Sequence, residues 1–193
     1  DVVHVHGIGF FSDFFILTRP LHKKPVVISS HGAIFHTGTN LLKNLYFFVW
    51  CKFLLRFANR IIAVSKNDAD IFSKIVPREK IVVIHNPVRL DRFRCARKKK
   101  NTFVFVGRLS KNKRLDLLIE VFASASQNKK AMLYIVGSDF ENLREVLGEK
   151  VKNLNVKDRI KFLGRLSEQE LIELLASTDF FISASEYEGF GIS

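Results

Sequence analysis

The sequence predicts an α/β protein built on parallel sheets. Short β-branched runs alternate repeatedly with helical stretches along its 193 residues. The runs are apolar almost throughout rather than alternating, so both sheet faces should be covered. Between the runs, apolar residues recur with helical spacing: Leu115, Leu118, Ile119 and Phe122 fall at i, i+3, i+4 and i+7. Parallel strands joined by crossover helices produce this combination.

In chain order, Val2–Val5, Val26–Ser30, Ile61–Val64 and Ile81–Ile84 read as strands. Helical stretches between them include Leu41–Phe57 and Asn67–Val76. A basic break at about Arg94–Asn101 ends this series. The second series runs strand Phe103–Val106, helix Leu115–Ala125, strand Met132–Val136, helix Phe140–Leu147, strand Ile160–Leu163, helix Glu168–Ala176 and strand Phe180–Ser183. Ser167 and Glu170 have the spacing of a capping box opening the last helix. The expected domains are residues 1–95 and 96–193.

Composition narrows the function classes. The net charge is +12, which favours an anionic partner: phosphate esters, nucleic acid or an acidic membrane face. The excess gathers in Arg89–Arg114, where Asp91 is the one acid; a solvated basic linker would look the same. A nucleic-acid-binding protein is a competing reading. No DNA- or RNA-reading motif supports it, and the aromatics lie within apolar runs rather than on basic ones. Nineteen Phe read as core filler. Cys51 and Cys95 are too few for a disulfide framework, and Cys51 lies in an apolar stretch as a buried thiol would. The opening DVVHVHG reads as a strand, with no secretory leader. No apolar run reaches the ~18–20 residues that span a bilayer.

Ligands of open parallel sheets gather at the carboxyl ends of the strands, so the residues there are the candidates. Gly107 gives a tight exit from its strand, and Arg108 and Lys113 follow on one loop. Two cations there suit a diphosphate, or simply sit on the surface. Gly137 and Gly164 repeat the glycine exit, and Ser138 or Asp139 can cap the helix that follows. Near the end, Glu188 stands against Gly189, Phe190 and Gly191. Uncovered amides at a helix start attract anions and hydroxyl oxygens, and Glu188 can accept from sugar hydroxyls or pair with the helix dipole. His31 ends a strand in the first half, where it can donate to or accept from a ligand. His4 and His6 share a strand face, but two histidines without a third ligand make a weak metal site, and none is expected. Asn40–Arg60 mixes aliphatic and aromatic residues with Lys and Arg. It suits a buried crossover helix or a membrane interface.

The blocks FVFVGRLSKNKRLDLLIEVFA, LYIVGSD, IKFLGRLSEQELIELLASTDFFISASEYEGFGIS and ANRIIAVS with IVVIHNPVRLDRF, in this order, closely resemble glycosyltransferase family 4. The resemblance covers nearly the whole chain. It implies the GT-B architecture, two Rossmann-like parallel-sheet domains facing a cleft, and a retaining hexosyltransferase that uses a nucleotide-diphosphate sugar without a metal or other cofactor. By position, Arg108 and Lys113 would grip the donor diphosphate. Glu188 would contact the donor sugar beside the amides of Gly189, Phe190 and Gly191. Gly137 would border the donor, Gly164 and Arg165 would lie near the base, and His31 would face the transferred sugar. The family's second glutamate would fall at position 196, so the resemblance implies an internal piece of a longer enzyme, incomplete in both domains. Where the family often has Gly-x-Gly, this chain has Gly137–Ser138–Asp139.

SSHGAIFHTGTNLLKNLYFF resembles the members that extend polyprenyl-diphosphate-linked saccharides. The expected partners are therefore a nucleotide sugar, a saccharide or polyprenyl-diphosphate-linked acceptor and an anionic membrane surface, with no nucleic acid. The expected location is cytoplasmic, peripheral on the inner face of the membrane. A nucleotide-sugar-binding scaffold without catalysis is the alternative.

Overall fold

The computed structural model describes residues 1–30, 45, 51–87, 99–127 and 130–186. Contacts divide the chain into two compact units, with the described residues up to 87 in one and those from 99 to 186 in the other.

The first unit is a four-stranded parallel sheet of β1 (Val3–His6), β2 (Val26–Ser29), β3 (Arg60–Ala63) and β4 (Ile81–Val83), in that spatial order. Its helices are α1 (Phe10–Leu17), α2 (Arg19–His22), α3 (Lys52–Leu55) and α4 (Lys66–Ser73). The core joins Val26, Ile28, Ile61 and Ala63 of the strands to Ile16, Leu54, Leu55 and Phe72 of the helices. Cys51 is buried in it, as its apolar surroundings predict. The Ser65 hydroxyl accepts from the Asp68 amide and starts α4. Helix α1 has no counterpart in the sequence reading: its buried face is Ser12 and Ile16, while Phe10, Phe11, Phe14 and Leu17 are exposed, the reverse of the usual apolar-in pattern.

The second unit is also four parallel strands: β5 (Lys99–Val106), β6 (Met132–Val136), β7 (Ile160–Gly164) and β8 (Thr178–Phe181). Their spatial order is β7-β6-β5-β8. Helices α5 (Leu115–Ala125), α6 (Arg144–Asn153) and α7 (Glu168–Ser177) connect them. All four residues of the predicted α5 stripe are buried, and they pack with Phe105, Leu133 and Ile135 of the sheet. The capping box of α7 forms: the Ser167 amide donates to the Glu170 carboxylate at 2.8 Å, and the Glu170 amide donates to the Ser167 hydroxyl at 3.3 Å.

The structure corrects three expectations. The basic break extends less far, because β5 already begins at Lys99, with an irregular register to β8 between Lys99 and Phe103. The predicted helix Phe140–Leu147 begins instead at Arg144, because the Asp139 carboxylate accepts from the amides of both Leu143 and Arg144 and delays the first turn. Among the described residues β8 is not covered on both faces: Phe180 and Phe181 are 54% and 48% exposed, and α7 has no fully buried residue.

Candidate functional site

The strand order of the second sheet locates its binding edge. From β5 the chain moves out through β6 to β7, then returns to β8 on the other side of β5. The connections therefore diverge at β5 and β8. In open parallel sheets a crevice opens at such a reversal, at the carboxyl ends of the strands.

The glycine exits lie side by side along this edge. The Gly107 amide donates to the Val136 carbonyl at 2.9 Å, and the Gly137 amide donates to the Gly164 carbonyl at 2.8 Å. Gly107, Gly137 and Gly164 thus form one row across β5, β6 and β7. Gly137 has φ +145°, and a Cβ placed there would stand 1.8 Å from the Gly107 carbonyl oxygen. The two strand exits touch backbone to backbone, which only a glycine permits. Beyond them the Leu109 amide donates to the Ser138 carbonyl at 2.8 Å, and buried Leu109 anchors the loop.

That loop carries the predicted cations. Arg108 is exposed, and its guanidinium lies 4.7 Å from the centre of the Phe140 ring. Lys113 is half-buried at the end of a 3-10 turn, Lys111–Lys113. The Lys111 amide donates to the Glu141 carboxylate at 2.9 Å, so the loops after β5 and β6 are held together. Arg114 adopts left-handed backbone angles, φ 46° and ψ 45°, which turn the chain into α5. Its side chain pairs with Asp116 at 3.3 Å, and this bond raises the Arg114 pKa. For Asp116, partial burial pushes the pKa up. Hydrogen bonds from Arg114 and the Leu117 amide and the charges of Arg114 and Lys150 outweigh it, so the carboxyl stays below its ordinary value. Arg114 is therefore engaged within the loop.

On the other side of the reversal, the Glu186 amide donates to the Asn112 carbonyl at 2.9 Å. This bond ties the segment after β8 to the cation-bearing turn. The sequence reading missed Asn112, Glu186 and Phe140. Two of them act through backbone atoms, which any residue type supplies. Phe140 as an aromatic in an otherwise polar loop was the one available signal.

Of the predicted residues, the structure brings Arg108, Lys113, Gly137 and Gly164 to one sheet edge. Arg165 is exposed just past Gly164. His31, Glu188, Gly189, Phe190 and Gly191 lie outside the described residues. Asp139 takes the capping role expected of it. In the first unit, the His4 and His6 rings lie tilted at 36° with centres 4.4 Å apart, and His4 Nε2 lies 2.8 Å from the Ser29 hydroxyl. Among the described residues no group of three His, Cys, Asp or Glu could hold a metal.

Two parallel α/β sheets, one with a glycine-lined reversal, define the class: an α/β protein of the GT-B architecture. The chain belongs to the glycosyl transferases group 1 family, whose sequence pattern matches residues 89–193; the pattern of glycosyltransferase family 4 matches residues 1–92. It is 34% identical over 197 aligned residues to the GDP-mannose:cellobiosyl-diphosphopolyprenol alpha-mannosyltransferase of Xanthomonas campestris, covering 100% of this chain and 52% of that protein. It is 28% identical to the O-antigen chain mannosyltransferase RfbU of Salmonella typhimurium, covering 91% of this chain and 49% of that one. The chain thus spans about half the length of the curated relatives it matches. Among solved structures, sucrose-phosphate synthase of Thermosynechococcus elongatus superposes with a TM-score of 0.80 at 18% identity, over 99% of this chain and 52% of that one. HepE of Anabaena, in complex with UDP and glucose, gives 0.75 at 19%, over 91% and 51%. At these identities the structures share the fold.

Proposed function

We propose that the full-length protein is a retaining hexosyltransferase that moves a sugar from a nucleotide-diphosphate donor to a saccharide carried on polyprenyl diphosphate. The observation that carries this reading is the convergence of Arg108, Lys113 and the N-terminus of α5 on the reversal edge of the second sheet. Residues 1–95 form the acceptor side and 96–193 the donor side. The identity to mannosyltransferases along the whole chain favours GDP-mannose as donor. The enzyme works at the cytoplasmic face of the membrane, as a lipid-borne acceptor requires.

In the reaction the anomeric C–O bond breaks and its electron pair leaves with the nucleoside diphosphate. A new bond forms from the anomeric carbon to an acceptor hydroxyl oxygen, and that hydroxyl loses its proton. Charge builds on the departing diphosphate, and fixed cations and helix amides are most effective there because they need no reorganisation. Arg108 offers a planar fork and Lys113 a point charge. Gly137 lets the backbone approach the phosphates closely. Gly164 and Arg165 border the base. Glu188 accepts from sugar hydroxyls, the amides of Gly189, Phe190 and Gly191 bind the donor, and His31 faces the transferred sugar. The cations serve in place of a metal, and no cofactor is needed.

Thermal-shift measurements on the full-length protein with GDP-mannose, UDP-glucose and an ADP-sugar test the reading. GDP-mannose should raise the melting temperature most, and it should be consumed when a polyprenyl-diphosphate saccharide is added. No shift with any of the three would refute the proposal.

A further inference from the structure

Two arginines stand on the loop between β5 and α5, and the fold holds them in different ways. Arg114 pairs with Asp116 at 3.3 Å, so a carboxylate answers its charge. Among the described residues no carboxylate pairs with Arg108. Its guanidinium lies over the Phe140 ring instead, 4.7 Å from the centre. Phe140 comes from the loop after β6 and is 55% exposed, so burial does not account for it.

The backbone brings the two side chains together. Past the glycine exits, β5 and β6 stay paired for one more step, in which Leu109 bridges Asp139 in parallel. The Leu109 amide donates to the Ser138 carbonyl at 2.8 Å, and the Phe140 amide donates to the Leu109 carbonyl at 3.2 Å. The Lys111 amide, bonded to the Glu141 carboxylate at 2.9 Å, closes the far side. Arg108 and Phe140 flank this bridge, and buried Leu109 anchors it. The kind of partner matters for the charge. A carboxylate would hold the guanidinium but would cancel its charge and occupy its donors. An aromatic ring attracts the cation through its quadrupole and carries no charge of its own, so the positive charge stays available to an anion. It also limits the rotamer freedom that an arginine must otherwise lose when it grips a ligand.

We propose that Phe140 is a positioning residue whose ring holds the Arg108 guanidinium at the reversal edge, aligned for the donor diphosphate and not neutralised. This deepens, and rests on, the reading of Arg108 as a cation for that diphosphate. A second contact of the same kind supplies a comparison: the Arg144 guanidinium lies over the Phe162 ring at 4.3 Å, and the proposed chemistry does not use Arg144.

The test is steady-state kinetics of the full-length protein with GDP-mannose and a polyprenyl-diphosphate saccharide. Phe140→Leu keeps the apolar bulk and removes the ring. It should lower kcat/KM for the donor about threefold to fivefold, the scale of an exposed cation–π contact, at an unchanged melting temperature. Phe140→Trp should restore the wild-type value. In an Arg108→Gln background Phe140→Leu should have no further effect, because the group it positions is gone. Arg144→Gln, which removes the second contact, should leave the kinetics unchanged. Phe140→Leu at the wild-type rate, Phe140→Trp as slow as Phe140→Leu, or the same loss with and without the Arg108 side chain would overturn the proposal. So would an equal loss from Arg144→Gln, or a melting temperature lowered by Phe140→Leu, which would mean that the ring serves packing. The NMR resonance of the Arg108 Nε–H gives a readout that needs no turnover: the ring current should move it upfield in the wild type relative to Phe140→Leu. If the wild-type protein turns over donor and this resonance is the same in both proteins, the contact is refuted and the reaction stands. If the resonance moves but no donor is turned over, the reaction is refuted and the contact stands.

Discussion

Among the described residues the two sheets have four strands each and the same parallel pairing, yet their strand orders differ. In the first, spatial order follows chain order, β1-β2-β3-β4, and each crossover moves one step in the same direction. In the second, β8 returns to the far side of β5. The loops after β5 and β8 consequently flank one crevice, and the bond from Glu186 to Asn112 holds them together. In the second sheet the reversal of strand order is what gathers the glycine exits and the cations at one edge.

The sharpest way to break this contrast is the same substitution at a strand exit in each sheet. Gly137→Ala drives a Cβ into the Gly107 carbonyl. It should cost more than about 3 kcal/mol, because the clash adds to backbone strain of about 1–3 kcal/mol, and it should abolish donor binding. Gly7 also has positive φ, +89°, but nothing lies within 4 Å of its would-be Cβ. Gly7→Ala should cost the strain alone, about 1–3 kcal/mol. Urea unfolding midpoints read both, and equal losses would erase the distinction between the two edges.

Removing a site cation comes next. Lys113→Ala in the full-length enzyme should lower turnover by roughly 10²–10³, or ~2.7–4 kcal/mol, the usual scale for one preorganised group that stabilises transition-state charge. Its melting temperature should hold. Unchanged turnover would take Lys113 off the diphosphate.

The helix caps give a smaller comparison. Ser65→Ala and Ser167→Ala each remove an N-cap, a loss of about 0.5–2 kcal/mol. Helix α4 buries Asp68, Ala69 and Phe72, whereas α7 has no fully buried residue. The first loss should therefore lower global stability, and the second should only speed amide exchange in the first turn of α7. Global destabilisation by Ser167→Ala would show that α7 is more firmly integrated than its exposure indicates.

The smallest effect is a pH dependence confined to α7. Hydrogen bonds from the Ser167 hydroxyl and amide hold Glu170 below its ordinary value of 4.5. A depressed carboxyl contributes stability above its unfolded-state pKa and loses it as pH falls through the folded-state value. Exchange protection of α7 should thus decline below about pH 4.5, and Glu170→Gln should remove that dependence.

The sequence by itself determined the parallel α/β class, the buried stripe of α5, the capping box at Ser167 and the glycines and cations at the ends of β5, β6 and β7. Those features are local: helical period, cap spacing and strand composition act within a few residues. Only the tertiary structure decided the rest. It made α1 a helix that buries Ser12 and Ile16, and moved the start of α6 to Arg144 through amide bonds accepted by the Asp139 carboxylate. It also put β8 next to β5, and that adjacency turns separate loops into one edge. Strand order depends on contacts between residues 70 to 80 positions apart, such as Asn101 with Asp179 and Glu186 with Asn112. No spacing rule along the chain encodes such pairings.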